Sequence, residues 1–265
     1  MTIDYKNSTA LVTGASSGLG AEFARRLAAR GANLILVARR ADRLETLAAE
    51  LRTQYGVTVT PVSADLGKPG AAAALHADIQ KRGLTVNTLI NNAGFGTHGA
   101  FKDADPARVS QEISLNVNTL AELTRAFYPE LITSGNGALV NVASTAAFQP
   151  VPLMAVYAAT KAFVLSFTEA LWQEAKGSGL RVLTLCPGAT KTEFFEIAGE
   201  DARIGEFQTS EQVVGLAMKV LDQRNGGPSV ISGGRNKFLA WGERFVSRRR
   251  LVAMSGALSA RPARA

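Results

Sequence analysis

Tyr157 and Lys161 stand four residues apart in the run MAVYAATKAF, so on a helix their side chains leave from one face and can act on one substrate atom. A free tyrosine has a pKa of about 10 and is a neutral hydroxyl at pH 7. A neighbouring ammonium favours the phenolate, and bringing that pKa near 7 would take about 4 kcal/mol of differential stabilisation. Such a pair gives a proton to a substrate oxygen or takes one from it. The spacing alone is common in helices without chemistry, so its weight comes from its company. Ser144, thirteen residues earlier, closes the apolar run ALVNVA, and its hydroxyl is available to hydrogen-bond the same oxygen.

A second cluster near the start speaks for a phosphate-bearing ligand. The run LVT leads into Gly14-Ala15-Ser16-Ser17-Gly18-Leu19-Gly20, where glycines permit a tight turn and the opening helix offers free N–H donors and the positive end of its dipole. A strand before this loop, a helix after it and a second strand beyond complete a dinucleotide-binding unit. At the tip of that second strand, an acidic residue would bond a ribose 2′-hydroxyl, whereas arginine accommodates a 2′-phosphate. The chain reads Val37-Ala38-Arg39-Arg40, which favours bidentate phosphate binding by Arg39 and hence NADP(H). The alternative is two surface arginines with no ligand.

The elements that must hold these groups can be read from alternating apolar runs and charge-rich, Ala/Leu-rich segments. Strands are expected at 10–13, 33–38, 57–63, 88–91, 138–143, 181–186 and 229–232, and helices at 18–30, 41–55, 69–81, 106–133, 154–177 and 210–222. Asp105-Pro106 is a good helix start, with an N-cap side chain before a proline at the first helical position. Strand, helix, parallel strand connections with right-handed crossovers give an α/β fold: a doubly wound, seven-stranded parallel sheet of Rossmann type in a single domain. The weakly patterned segment 190–209 follows a strand, where ligands bind in such sheets, and is expected to serve as a lid.

Taken in order, TGASSGLG (13–20), Asp65-Leu66, NNAG (91–94), Asn116, Ser144, YAATK (157–161) and PGATKT (187–192) resemble the short-chain dehydrogenase/reductase family over residues 8 to about 234. That resemblance implies that Tyr157 exchanges a proton with the substrate oxygen, Ser144 polarises it, and Lys161 also holds the nicotinamide ribose. It implies a water-linked relay supported by Asn116, with Asn118 as the neighbouring alternative. Asp65 would bond the adenine amino group beside Leu66. Asn91, Ala93 and Gly94, with Pro187 and Gly188, would line the cofactor cleft, and Thr192 would contact the carboxamide. Homodimers or homotetramers are expected on the same ground. The implied activity is interconversion of a carbonyl and an alcohol. Substrate contacts are expected from the 144–157 loop with Phe95, Phe194, Phe195 and Ile197, mostly apolar side chains that suit an apolar small molecule but that equally suit core packing. His98 has no visible partner and reads as incidental.

Composition removes other classes. No metal is expected, because the two histidines, His76 and His98, have no clustered ligands beside them. The single cysteine, Cys186, sits in an apolar strand; it cannot form an internal disulfide and fits a reducing compartment. Met1 to Ala10 lacks the basic and apolar regions of a secretory leader, so a cytoplasmic location is expected. The net charge of +7 lies in one place. From Arg235 onward eight basic residues face one acid, while the first 234 residues hold 21 of each. We therefore divide the chain into a catalytic body, 1–234, and a basic tail, 235–265. Charge confined to a terminal segment, without interleaved aromatics on a sheet, does not suit nucleic acid. If helical, the tail aligns Phe238, Trp241, Phe245 and Val252 with Lys237, Arg244 and Arg248 at the flanks, as interfacial helices do, although Arg249 interrupts the apolar face. Packing on the body or at a subunit contact is the favoured alternative. Two other functions remain open: a catalytically silent dinucleotide-binding regulator and a peripheral membrane reductase of lipid-like compounds.

Overall fold

A computed structural model describes residues 3–6, 8–199, 207–223 and 226–259. Seven strands run parallel in the order β3-β2-β1-β4-β5-β6-β7: β1 Thr9–Thr13, β2 Asn33–Ala38, β3 Val59–Ser63, β4 Thr88–Asn91, β5 Ala138–Val142, β6 Arg181–Cys186 and β7 Ser229–Ile231. Helices α1 Gly18–Ala28, α2 Ala41–Tyr55, α3 Ala71–Lys81, α4 Pro106–Ile113, α5 Leu120–Ser134, α6 Ala155–Glu174, α7 Phe194–Ala198, α8 Ser210–Leu221, α9 Gly234–Gly242 and α10 Arg248–Ser259 complete it.

Alternate side chains of each strand feed opposite layers, as a two-sided sheet requires. Ala10 and Val12 of β1, with Leu34 and Leu36 of β2, join Phe23, Leu27, Leu44 and Met218 from α1, α2 and α8. Leu11, Ile35 and Val37 point the other way and meet Leu75, Ile79, Leu123 and Phe127 of α3 and α5. Strand order reverses between β1 and β4, and the crevice at that switch point is where such sheets bind ligands.

Three differences from the sequence reading matter for the site. The helix expected over 106–133 is interrupted by a π-helical stretch, Ser114–Thr119, that contains Asn116; one widened turn re-aims a side chain without breaking the rod. The 190–209 segment contains the short helix α7, while 200–206 fall outside the described residues. The tail forms two helices with a 3-10 turn, Glu243–Phe245, between them, so the proposed stripe does not lie on one rod. Val57 also stays outside β3, which starts at Val59.

Candidate active site

One cavity of about 800 Å³ runs over the carboxyl ends of the strands. Its floor at one end is the phosphate loop. Gly14 and Gly18 have φ of 65° and 54°, the left-handed region that favours glycine. A Cβ on Gly20 would lie 2.2 Å from the Gly14 carbonyl oxygen, so only glycine lets α1 start this close to the strand. Thr13 fastens the loop to the end of β4: its Oγ1 accepts from the backbone N–H groups of Asn92 (2.9 Å) and Ala93 (3.0 Å), and the Asn92 amide donates to the Thr13 carbonyl at 3.0 Å. Gly14, Ser16, Ser17, Gly18 and Leu19 line the cavity, whereas Gly20 is buried beneath it.

Both arginines after β2 reach the cavity, with different partners. Arg39 is exposed. Arg40 donates to Ser16 Oγ (3.0 Å), Ser17 Oγ (3.1 Å) and Glu193 (2.7 Å). Glu193 also pairs with Arg43, and these guanidinium groups, Arg40 foremost, hold its carboxyl down at about 2. The start of the 190–209 segment is thereby tied to the phosphate loop, and Thr192 lies directly against Gly18. Asp65, Leu66, Ala93, Gly94, Pro187, Gly188 and Thr192 all line the cavity.

Asn91 does not. Its side chain points away from the cleft, donating to Thr124 Oγ1 (3.0 Å) and Asn141 Oδ1 (2.9 Å). Asn141 in turn donates to Thr168 at 2.9 Å. This is a buried polar link from β4 and β5 to α5 and α6, and Asn92 is the residue that faces the cleft. Strand pleat explains the swap, since consecutive side chains point to opposite faces.

Another part of the cavity is built on α6 and the loop after β5. Tyr157, Lys161 and Ser144 line the cavity together. Tyr157 is 9% exposed and Lys161 5%. Lys161 Nζ donates to the Val142 carbonyl at 2.8 Å and lies 5.7 Å from the Tyr157 ring centroid. Ser144 Oγ accepts from the Ala146 N–H at 3.1 Å, which leaves its proton to give. The lowered phenol pKa expected from the ammonium is not what these residues produce on their own. Burial pushes Tyr157 up to about 12, against the Ser144 hydrogen bond, and brings Lys161 down to about 8. Asn116 is buried behind them: its amide donates to the Phe95 carbonyl (2.8 Å) and Thr160 Oγ1 (3.2 Å), and its oxygen accepts from Phe95 N–H at 3.2 Å. It clamps the segment after β4 to α6, and Gly94 passes so closely that a Cβ there would lie 2.9 Å from Asn116 Oδ1.

The profile of the short chain dehydrogenases matches residues 8–203. The chain belongs to the short-chain dehydrogenase family. It is 39% identical over 186 residues to sulfoacetaldehyde reductase 2 of Chromohalobacter salexigens, covering 69% of this chain and 73% of that one. Among solved structures it is similar to a short-chain dehydrogenase from Sphingobium yanoikuyae in complex with NADPH, with 36% identity, a TM-score of 0.78 and coverage of 90% and 94%. It is also similar to a 7beta-hydroxysteroid dehydrogenase studied for its stereoselectivity, with 28% identity, a TM-score of 0.85 and coverage of 96% and 99%. This short-chain dehydrogenase is an oxidoreductase of alcohol and carbonyl substrates.

Val151, Met154, Phe194 and Phe195 wall the cavity beside Tyr157, and Phe95 and Gln149 also line it. The Ile197 side chain lies outside the described residues, and His98 does not line the cavity. Leu153, within the same loop, adopts φ 67°, a strained conformation for a branched side chain that its surroundings must enforce. Sequence reasoning missed two acids here. Glu112 is fully buried one helical turn before Asn116, bonded by Thr97 Oγ1 at 2.6 Å, and burial raises its pKa. Glu243 comes from the segment set aside as tail. The i, i+4 relation to Asn116 was a visible signal for the first; nothing local signalled the second.

Proposed function

We propose that this chain is an NADP(H)-dependent carbonyl reductase or alcohol dehydrogenase with Tyr157 as its general acid/base. The observation that carries the reading is the meeting, in one cavity, of a glycine-rich loop packed so closely that Gly20 has no room for a Cβ, arginines where a carboxylate would select NAD, and the Ser144, Tyr157, Lys161 cluster. The residues fit the dinucleotide: Gly14 to Leu19 would take its pyrophosphate at the start of α1, and Arg39 and Arg40 its 2′-phosphate. When bound, the nicotinamide supplies or accepts the hydride.

The chain's own work is orientation and proton transfer. Tyr157, neutral and 9% exposed, gives its proton to the substrate oxygen in reduction and takes it back in oxidation. Ser144, with its oxygen already accepting from Ala146, directs its O–H at that same atom. Lys161 stays charged below a pH of about 8, favours the phenolate as it forms, and is held by Val142. The apolar walls exclude water and suit a bulky carbonyl compound. The test is NADPH and NADH turnover at equal concentration across a panel of ketones and aldehydes. We expect faster turnover with NADPH; preference for NADH would overturn the cofactor assignment, and inactivity with every carbonyl would favour a silent dinucleotide-binding protein.

A further inference from the structure

Helix α9 lies in the basic 235–265 segment, yet it forms a wall of the cavity. Asn236, Leu239, Ala240 and Glu243 all line it, and their spacing of i, i+3, i+4 and i+7 is one face of a helix. The opposite side carries Phe238, Trp241 and Phe245 out to solvent. Two groups on the inner face are polar. The Asn236 amide is spent on the Ser232 carbonyl at 2.8 Å and lies against Gly188, at the cofactor end. Glu243 Oε2 is buried without a hydrogen-bond partner, and no ion pair to Glu243 occurs among the described residues. The orphan oxygen lies seven residues past Asn236, about 10 Å further along the helix axis.

A carboxylate oxygen buried without a partner is costly to its own fold, even where the residue as a whole is half-buried. Burial alone pushes Glu243 up to about 7, so near neutral pH it exchanges between a hydrogen-bond acceptor and an acid. Such a group in a pocket with apolar walls discriminates strongly, because a ligand that leaves it unpaired bears the desolvation cost.

Resting on the carbonyl reductase reading above, we infer that Glu243 is a specificity-determining residue that binds a hydrogen-bond donor, hydroxyl or protonated amine, at the far end of a bulky carbonyl substrate. The compound this enzyme takes is then amphipathic: a carbonyl at Tyr157 and Ser144, an apolar body between Val151, Met154 and Phe195, and a donor at Glu243.

The experiment uses three ketones of one skeleton, prepared over a range of spacer lengths, that end in a methyl, a hydroxymethyl or an aminomethyl group. Each is reduced with NADPH at pH 7.5 by the wild type, Glu243→Gln and Glu243→Leu. We expect both donor-bearing ketones to exceed the methyl ketone by about tenfold or more in kcat/KM, a ratio of the size one paired polar group gives, carried by KM. Glu243→Leu should erase that ratio, bringing the three ketones within about twofold of one another in kcat/KM. Glu243→Gln should keep the hydroxymethyl preference and lose the aminomethyl one. Both variants should melt at or above the wild-type Tm, since each removes a charged oxygen buried without a partner. A donor preference that survives in Glu243→Leu, or a methyl ketone favoured by the wild type, overturns the assignment and leaves the reductase reading standing. If the wild type reduces none of the three with either cofactor, both fall together.

Discussion

At the scale of single residues the proposed chemistry rests on Ser144, Tyr157 and Lys161, whose environment the fold sets. Replacing Tyr157 with Phe removes the proton and keeps the ring that packs on Phe194, 5.2 Å away between centroids. We expect kcat to fall by about 10²–10⁴, the usual worth of a positioned acid, with the NADPH dissociation constant within about twofold by fluorescence titration, since no binding contact is lost. More than a tenth of the wild-type rate remaining would remove Tyr157 from its role. The pH profile separates its partner. Tyr157 at about 12 stays protonated across the working range, whereas Lys161 at about 8 loses its charge within it. Reduction followed as kcat/KM should therefore decline above a pH near 8, and Lys161→Arg, which cannot deprotonate, should lack that limb. Glu112 acts on stability. Burial raises its folded pKa above the unfolded one, so the stability linked to it is fully present below the unfolded value near 4.5 and is lost as pH rises through the folded value. Glu112→Gln should shrink the Tm difference between pH 5 and pH 8; an unchanged difference would mean the carboxyl titrates normally.

At the scale of elements, the site depends on close approaches that leave no room for a side chain. A Cβ at position 20 would meet the Gly14 carbonyl at 2.2 Å, and one at 137 would meet the Asn87 carbonyl at 1.8 Å. The two should fail differently. Gly20→Ala distorts the phosphate loop locally, so NADPH affinity should collapse while the transition stays cooperative. Gly137→Ala sits where α5 returns to β5, far from the cavity lining, and should lower stability by about 2–4 kcal/mol, the range of severe backbone and packing lesions, with NADPH affinity of the folded fraction unchanged. Denaturant melts with and without NADPH distinguish the two. The π-helical stretch belongs to this scale as well: it places Asn116 against Phe95 and Thr160.

For the whole molecule, the basic tail resolves into two parts. The α9 segment belongs to the cavity, and α10 packs on the body through Leu251 and Ser255, with Gly256 beside Pro152 of the substrate loop. Arg248, Arg249 and Arg250 are exposed. Removing residues 247–265 should lower Tm by about 5 °C, from about 1.5–3 kcal/mol for unburying one leucine, with no change in flotation on anionic vesicles. Flotation lost with the tail would favour the membrane reading instead. No helix among the described residues is long and apolar enough to cross a membrane. Self-association has a candidate surface in α6, where Phe163 is 40% exposed and stacks on Phe167 at 5.6 Å. If subunits pair there, Phe163→Glu should shift the sedimenting species to a smaller one.

The sequence by itself determined the sheet and singled out the glycine loop with Ser144, Tyr157 and Lys161, which line one cavity, because apolar periodicity, glycine spacing and a helical i, i+4 pair are local signals. It also pointed to arginines after β2. What only the tertiary structure decided were relations between distant segments: which of two adjacent asparagines faces the cleft, that Arg40 is bound by Glu193 across the cavity, and that burial rather than charge dominates the Tyr157 phenol. The tail misled for the same reason. Its basic charge and aromatic stripe are visible along the chain, but the inner face of α9, with Glu243 in the cavity, exists only because β7 delivers that helix to the open end of the sheet.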